Sequence, residues 1–191
     1  MIVISVKKCT RFLLLFFGFL LVLTGGYFLL QTTVLNHAVS MVSQTIGLKP
    51  IYSVETEKKE ISISFDATWG TEYTETILDL LDQYEIKATF FLVNIWIEDN
   101  PAMAREIVER GHEIGLHSVS HPKFTTLSTE EMREELSGNA KKILDVTGFT
   151  ATLFRAPYGD YNDSVIQTCQ EMGYIPIQWS VDALDTKGIK N

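Results

Sequence analysis

Five side chains suited to hydrolytic chemistry stand just past short apolar segments of the chain: Asp66, His117, His121, Arg155 and Asp182. Two aromatic residues, Trp69 and Tyr158, lie close behind the same segments. A carboxylate can accept a proton, a histidine pair can hold a metal ion, and an arginine can pair with and orient the carboxylate. His117 and His121 are four residues apart, and on a helical turn that spacing puts both imidazoles on one face, toward one ion. The plainer alternative is that His121, followed by Pro122, shapes a turn while His117 hydrogen-bonds in the core. Asp66 alone would read as a turn or cap residue; the set as a whole carries the hydrolytic reading. His112 falls at a helix–strand turn on the opposite rim and reads as structural.

The elements that must position these residues alternate. Strand patterns cover residues 61–65, 88–93, 113–116 and 153–154, and one or two more lie within 174–181. Helical patterns fall between them, over 71–84, from Asn100-Pro101 to Gly111, from the capping box Ser128-Thr-Glu-Glu131 to Gly148, and over 162–172. Strands alternating with helices of this length predict βαβ units in a parallel α/β sheet or barrel. In such folds functional side chains collect beyond the C-terminal ends of the strands, and all five residues fall there.

Charge and hydropathy divide the chain. Lys7, Lys8 and Arg11 give residues 1–11 a charge of +3, which leaves −11 for the rest of a chain of net −8. So acidic a body lacks the basic footprint that nucleic acid requires. Residues 12–30 contain no charge and, as a helix, match a hydrocarbon core about 30 Å thick. The basic flank orients residues 1–11 to the cytoplasm and the body outside. No Ala-x-Ala-like site closely follows the run, which favours an uncleaved single-pass signal-anchor over a cleaved signal peptide. Either way the working domain is exported. Residues 31–60 read as a stalk, with His37 a solvated residue of it, and residues 61–191 as the working domain. Cys9 and Cys169 lack metal-type spacing, and Cys169 reads as a small buried hydrophobe.

Three segments, Ile63-Ser-Phe-Asp-Ala-Thr-Trp-Gly70, His117-Ser-Val-Ser-His121 and Arg155-Ala-Pro-Tyr-Gly159, resemble in order and spacing the motifs of the polysaccharide deacetylases, carbohydrate esterase family 4. The resemblance covers about 130 residues and implies a distorted (β/α) barrel that removes N-acetyl groups from a glycan with the help of a divalent metal, commonly zinc. It implies Asp66 as the general base, His117 and His121 as metal ligands, Arg155 as the partner of the base, and Asp182 and Asp185 as the fourth motif, in which the first Asp orients the arginine. A bound cation would acidify its water and polarise the acetamide carbonyl. Export points to an N-acetylated cell-wall polysaccharide of peptidoglycan type as the partner. Trp69 and Tyr158 could stack on a sugar ring or simply pack.

The sequence departs from the family pattern at three places. Ala67 stands where the family has a metal-binding aspartate, and two histidines alone fall short of the three protein ligands usual for catalytic zinc. The Phe-Asp-x-x-Trp-Gly form resembles a sporulation-associated branch that also lacks this aspartate. Asn139 is no obvious replacement. The fourth motif ends Asp185-Thr186 where the family has Asp-Trp, and no histidine follows His121 to serve as the family's terminal acid. With five or six strands instead of seven or eight, the barrel is expected to be incomplete at the C-terminus, as in a truncated frame or fragment. A glycan-binding pseudoenzyme is the alternative to an active deacetylase.

Overall fold

A computed structural model of the chain describes residues 47–183, together with Thr24 and Gly26. The membrane segment expected over residues 12–30 therefore lies, apart from those two residues, outside what is described, as do His37 and Asp185. Among the described residues no helix is long and apolar enough to cross a membrane. The chain divides after Gly47, and the unit beginning at Leu48 carries all the site residues.

The unit runs β1 (Ser64–Ala67), α1 (Thr74–Gln83), β2 (Thr89–Leu92), α2 (Asn94–Asp99), α3 (Pro101–Glu109), β3 (Glu113–Leu116), α4 (Thr129–Thr147), β4 (Leu153–Phe154), α5 (Asp163–Glu171) and β5 (Ile175–Pro176). Short 3-10 turns lie at Phe124–Thr126 and Pro157–Gly159. The five strands form one parallel sheet in sequence order, so each crossover returns beside the strand it left. The parallel α/β architecture expected from the alternation is present, and among the described residues the sheet is open. Beyond β5 it gains a single bridge from Ile51 to Ile177, in which Ile51 N donates to Pro176 O at 2.9 Å and Gln178 N donates to Ile51 O at 2.8 Å. Ile51 lies in the stretch read as a stalk, and the hydroxyls of Tyr52 and Tyr161, 2.6 Å apart, add a second tie there.

Local chemistry accounts for most element boundaries. Ser128 Oγ accepts from Glu131 N while Glu131 Oε2 accepts from Ser128 N, the reciprocal capping box expected at the start of α4. Gly148 closes that helix at φ 73°, a left-handed position that suits glycine. Asn162 caps α5 by accepting from Val165 N at 3.0 Å. Asn100 behaves otherwise: its side chain turns back to donate to Trp96 O at 3.1 Å, and Pro101 starts α3 without a side-chain cap. Trp96 belongs to α2, a six-residue helix too short to show a helical period in the sequence. β1 begins at Ser64 and not at Ile61, which is 88% exposed.

Helix side chains Leu78, Ile107, Leu136, Ile143, Val165 and Cys169 pack with Phe90, Leu92, Ile114, Leu116 and Phe154 from the strands into one core. Each large apolar side chain so buried contributes roughly 1.5–3 kcal/mol before entropy is counted. β2 and β3 are buried almost throughout and do not alternate, as expected of strands covered on both faces. Their period of two nevertheless sends Phe91 away from Phe90 and Leu92. Phe91 is paired across the sheet with Asp66 on one side and Gly115 on the other, and this row carries the site.

Candidate active site

Asp66 lies one residue before the end of β1, so its side chain opens toward the strand's C-terminal rim. Its Oδ1 accepts from Arg155 Nη1 at 2.6 Å. Arg155 follows β4 and is 4% exposed. Its guanidinium also donates from Nη2 to Ser64 Oγ at 2.8 Å and rests on the Phe91 ring, 4.0 Å from the centroid. Trp179 stands 5.7 Å away on another side. A buried charge is tolerable when it is paired and hydrogen-bonded, and Arg155 meets that condition through Asp66 and Ser64. Ser64 and Phe91 carried no sequence signal, because they look like ordinary strand residues.

His117 follows β3 and is 2% exposed. Its Nδ1 lies 2.8 Å from the carbonyl oxygen of Arg155. A carbonyl can only accept, so Nδ1 carries the hydrogen, and Nε2 of the neutral ring keeps its lone pair. Nε2 faces Asp66 Oδ2 at 4.0 Å. Burial is the main influence on this imidazole and pushes its pKa down to about 4.

The His117–His121 segment is a turn and not the helical turn its spacing suggested. Ser118 and His121 both adopt left-handed backbone angles, φ 80° and 58°, unusual for residues with a side chain. Fixed partners hold this conformation. Asn139 Oδ1 accepts from His117 N at 2.8 Å, and Ser118 Oγ accepts from His121 N at 2.9 Å. Glu135 receives Val119 N at 2.8 Å, Ser120 N at 2.9 Å and Ser120 Oγ at 2.6 Å. The two imidazoles still meet, edge to face with centroids 5.0 Å apart. Burial lowers the pKa of His121 as well, and its Nδ1 is buried without a partner among the described residues. His112 sits at the other end of β3, where its Nδ1 accepts from Ala88 N at 3.3 Å, consistent with a structural role.

Around this centre Tyr158 is 65% exposed and places its ring edge against His121, centroids 4.6 Å apart. Trp69 lies beyond β1 with 75% of its surface exposed, so neither aromatic is a core residue. Asp182 is exposed in the stretch after β5.

The donor set does not fit a tightly held metal. Ala67 offers a methyl group beside Asp66, and among the described residues no three His, Cys, Asp or Glu side chains converge on one ion position. Asn139 does not supply the missing oxygen. Its Oδ1 is taken by His117 N, and its Nδ2 donates to Leu92 O at 3.0 Å and Asn94 Oδ1 at 2.8 Å.

Comparison with known proteins identifies relatives of the chain. Residues 53–177 match the polysaccharide deacetylase family. The chain is 34% identical over 142 residues to the uncharacterized protein YlxY of Bacillus subtilis, covering 74% of this chain and 44% of that protein. It is 37% identical over 129 residues to the peptidoglycan-N-acetylglucosamine deacetylase PgdA of Listeria monocytogenes, covering 68% of this chain and 27% of that protein. Among solved structures, BA3943 of Bacillus anthracis, a CE4 family pseudoenzyme, superimposes with a TM-score of 0.72 at 34% identity over 74% of this chain and 50% of that one. The chain thus spans half or less of the length of these relatives. Over the part it does span, it belongs to the polysaccharide deacetylase family.

Proposed function

We propose that this chain is an extracytoplasmic, membrane-anchored deacetylase-like hydrolase that removes N-acetyl groups from cell-wall glycan of the peptidoglycan type. The observation that carries the reading is the Asp66–Arg155 pair at 2.6 Å, set on the strand rim beside His117 Nε2. Arg155 fixes Oδ1, so Oδ2 of Asp66 is presented to a water that attacks an acetamide carbonyl; Asp66 takes that water's proton and returns it to the sugar nitrogen as the C–N bond breaks, releasing acetate and the free amine. Tyr158, edge-on to His121, offers a surface on which a sugar ring can stack, and Trp69, exposed beyond β1, is a second such aromatic. Anchoring rests on the uncharged run of residues 12–30 behind a basic flank. Zinc, the metal that the family resemblance implies, would meet the imidazoles of His117 and His121 but no carboxylate from position 67.

Ala67 favours a second reading, a glycan-binding protein without turnover, in line with the likeness to a CE4 family pseudoenzyme. Acetate release from N-acetylglucosamine oligomers, measured on the full chain with and without added zinc, separates the two. Release abolished by Asp66→Asn supports the hydrolase. A folded protein that binds the oligomers and releases no acetate under either condition leaves the binding reading.

A further inference from the structure

At the centre of the site two hydrogen-bond acceptors confront each other. Asp66 Oδ1 is engaged by Arg155, while Oδ2 accepts no hydrogen bond among the described residues and faces His117 Nε2 at 4.0 Å. The Arg155 carbonyl holds the hydrogen of His117 on Nδ1, so Nε2 has a lone pair and nothing to donate. Neither acceptor can satisfy the other. The Ala67 methyl brings neither a donor nor a further charge to the gap. With no third ligand converging there among the described residues, the pair suits one atom that donates two hydrogens, a role water fills until a ligand group with the same donors displaces it.

Geometry limits which atom that is. A donor about 2.8 Å from both acceptors would subtend roughly 90° between them, a bent but usable arrangement for an sp³ atom bearing two or more hydrogens. An N-acetyl amide nitrogen bears one hydrogen and can serve only one acceptor. A primary ammonium bears three, and its charge is matched by the carboxylate. Asp66 is about a third exposed, so a ligand reaches Oδ2 from the rim, where Tyr158, packed on His121, offers a ring-stacking surface.

We infer that Asp66 Oδ2 and His117 Nε2 form a binding site for the free amine of a 2-amino-2-deoxy sugar, so that the chain recognises glycan already stripped of its acetyl group. The inference rests on the glycan-binding reading and names the sugar that such a protein prefers.

The test uses the full chain in detergent, treated with a chelator and titrated calorimetrically with a glucosamine tetramer, its fully N-acetylated counterpart and a glucose tetramer. The pH is held where the amine is protonated. The expected result is binding of the amino oligomer about tenfold or more tighter than of the N-acetylated one, since a single amide hydrogen leaves one acceptor unpaired. The preference disappears in folded Asp66→Asn. Should that variant not fold, wild-type protein suffices, because the preference must weaken as the pH is raised through the pKa of the sugar amine and the charge that the Asp66 carboxylate matches is lost. Equal or tighter binding of the N-acetylated oligomer overturns the amine site and leaves glycan binding intact. Failure of all three oligomers to bind overturns both.

Discussion

A β-carbon built on Gly115 would lie 2.4 Å from the ring of Phe91, its cross-strand neighbour. The absence of a side chain at Gly115 is therefore what lets the ring lie flat enough to carry the Arg155 guanidinium, 4.0 Å above it. Gly115→Ala has to displace Phe91 or spread β2 from β3. We expect a loss of about 1–3 kcal/mol in urea unfolding, the usual range for overpacking a filled site. Glycan binding should weaken as well, because the shelf under Arg155 moves.

Asn139 ties three segments together from the middle of α4: the backbone N–H of His117, the carbonyl of Leu92 and the side chain of Asn94. It is fully buried. Asn139→Leu keeps much of the volume and takes a partner from one buried donor, His117 N, and two buried acceptors, Leu92 O and Asn94 Oδ1. The expected cost is about 2–5 kcal/mol by denaturant unfolding. Asn139→Asp should fall between, since a carboxylate still accepts from His117 N but cannot donate to Leu92 O.

These two residues mark the limit of what the sequence discloses. Alternating apolar runs, the Ser128–Glu131 capping box and Gly148 declare their elements, because periodicity and caps are local. Asp66, His117, His121 and Arg155 declare themselves by type and position, and three of them, Asp66, His117 and Arg155, meet at hydrogen-bonding or near-contact distances. Ser64, Phe91, Asn139 and Glu135 do not, because their roles arise only when distant segments meet. The turn of His117–His121 is hidden for a related reason: a spacing of four fits a helix equally well, and only the left-handed angles at Ser118 and His121 decide. The short α2 is fixed by burial of Trp96 and Ile97 and shows no period of its own.

Acid should destabilise the fold through its buried imidazoles. Burial lowers the pKa of His117 to about 4 and lowers that of His112. Between the folded and unfolded pKa values the unfolded chain binds more protons, so stability rises with pH across that interval. The contribution is complete above about 6.5 and is lost as the pH falls from there toward 4. For His117 the full loss is on the order of 3 kcal/mol. Unfolding free energies measured between pH 7 and pH 4 should show this slope, and His117→Gln should flatten it even if it lowers stability throughout.

Position 67 decides whether the histidines acquire a metal. Ala67→Asp places a carboxylate at the end of β1, next to Asp66 and on the rim that already carries both imidazoles. With His117 Nε2 already free to ligate, the substitution should tighten zinc binding by an order of magnitude or more in calorimetric titration. A mutant of the related BA3943 pseudoenzyme has restored enzymatic activity, which makes acetate release by Ala67→Asp the natural second readout. Unchanged zinc affinity would show that the loop, and not the missing carboxylate, keeps the metal out.

Glu135 governs that loop. Gly138, one turn further along α4, would place a β-carbon 2.8 Å from Val119 Cγ2, so the helix lies hard against the loop at this point. Glu135 is thereby brought within reach of Val119 N, Ser120 N and Ser120 Oγ, all between the two histidines. Three donors on one carboxylate offset the cost of left-handed angles at Ser118 and His121, which is of order 1–3 kcal/mol for each such residue. Glu135→Gln retains an acceptor but adds an amide N–H₂ that meets other donors. We expect a stability loss of about 1–3 kcal/mol, with the core otherwise intact. The more telling readout is the ring resonances of His121 in NMR, which should shift while those of His112, at the far end of β3, stay in place. If both histidines shift together, the effect is global, and Glu135 has no special hold on the loop.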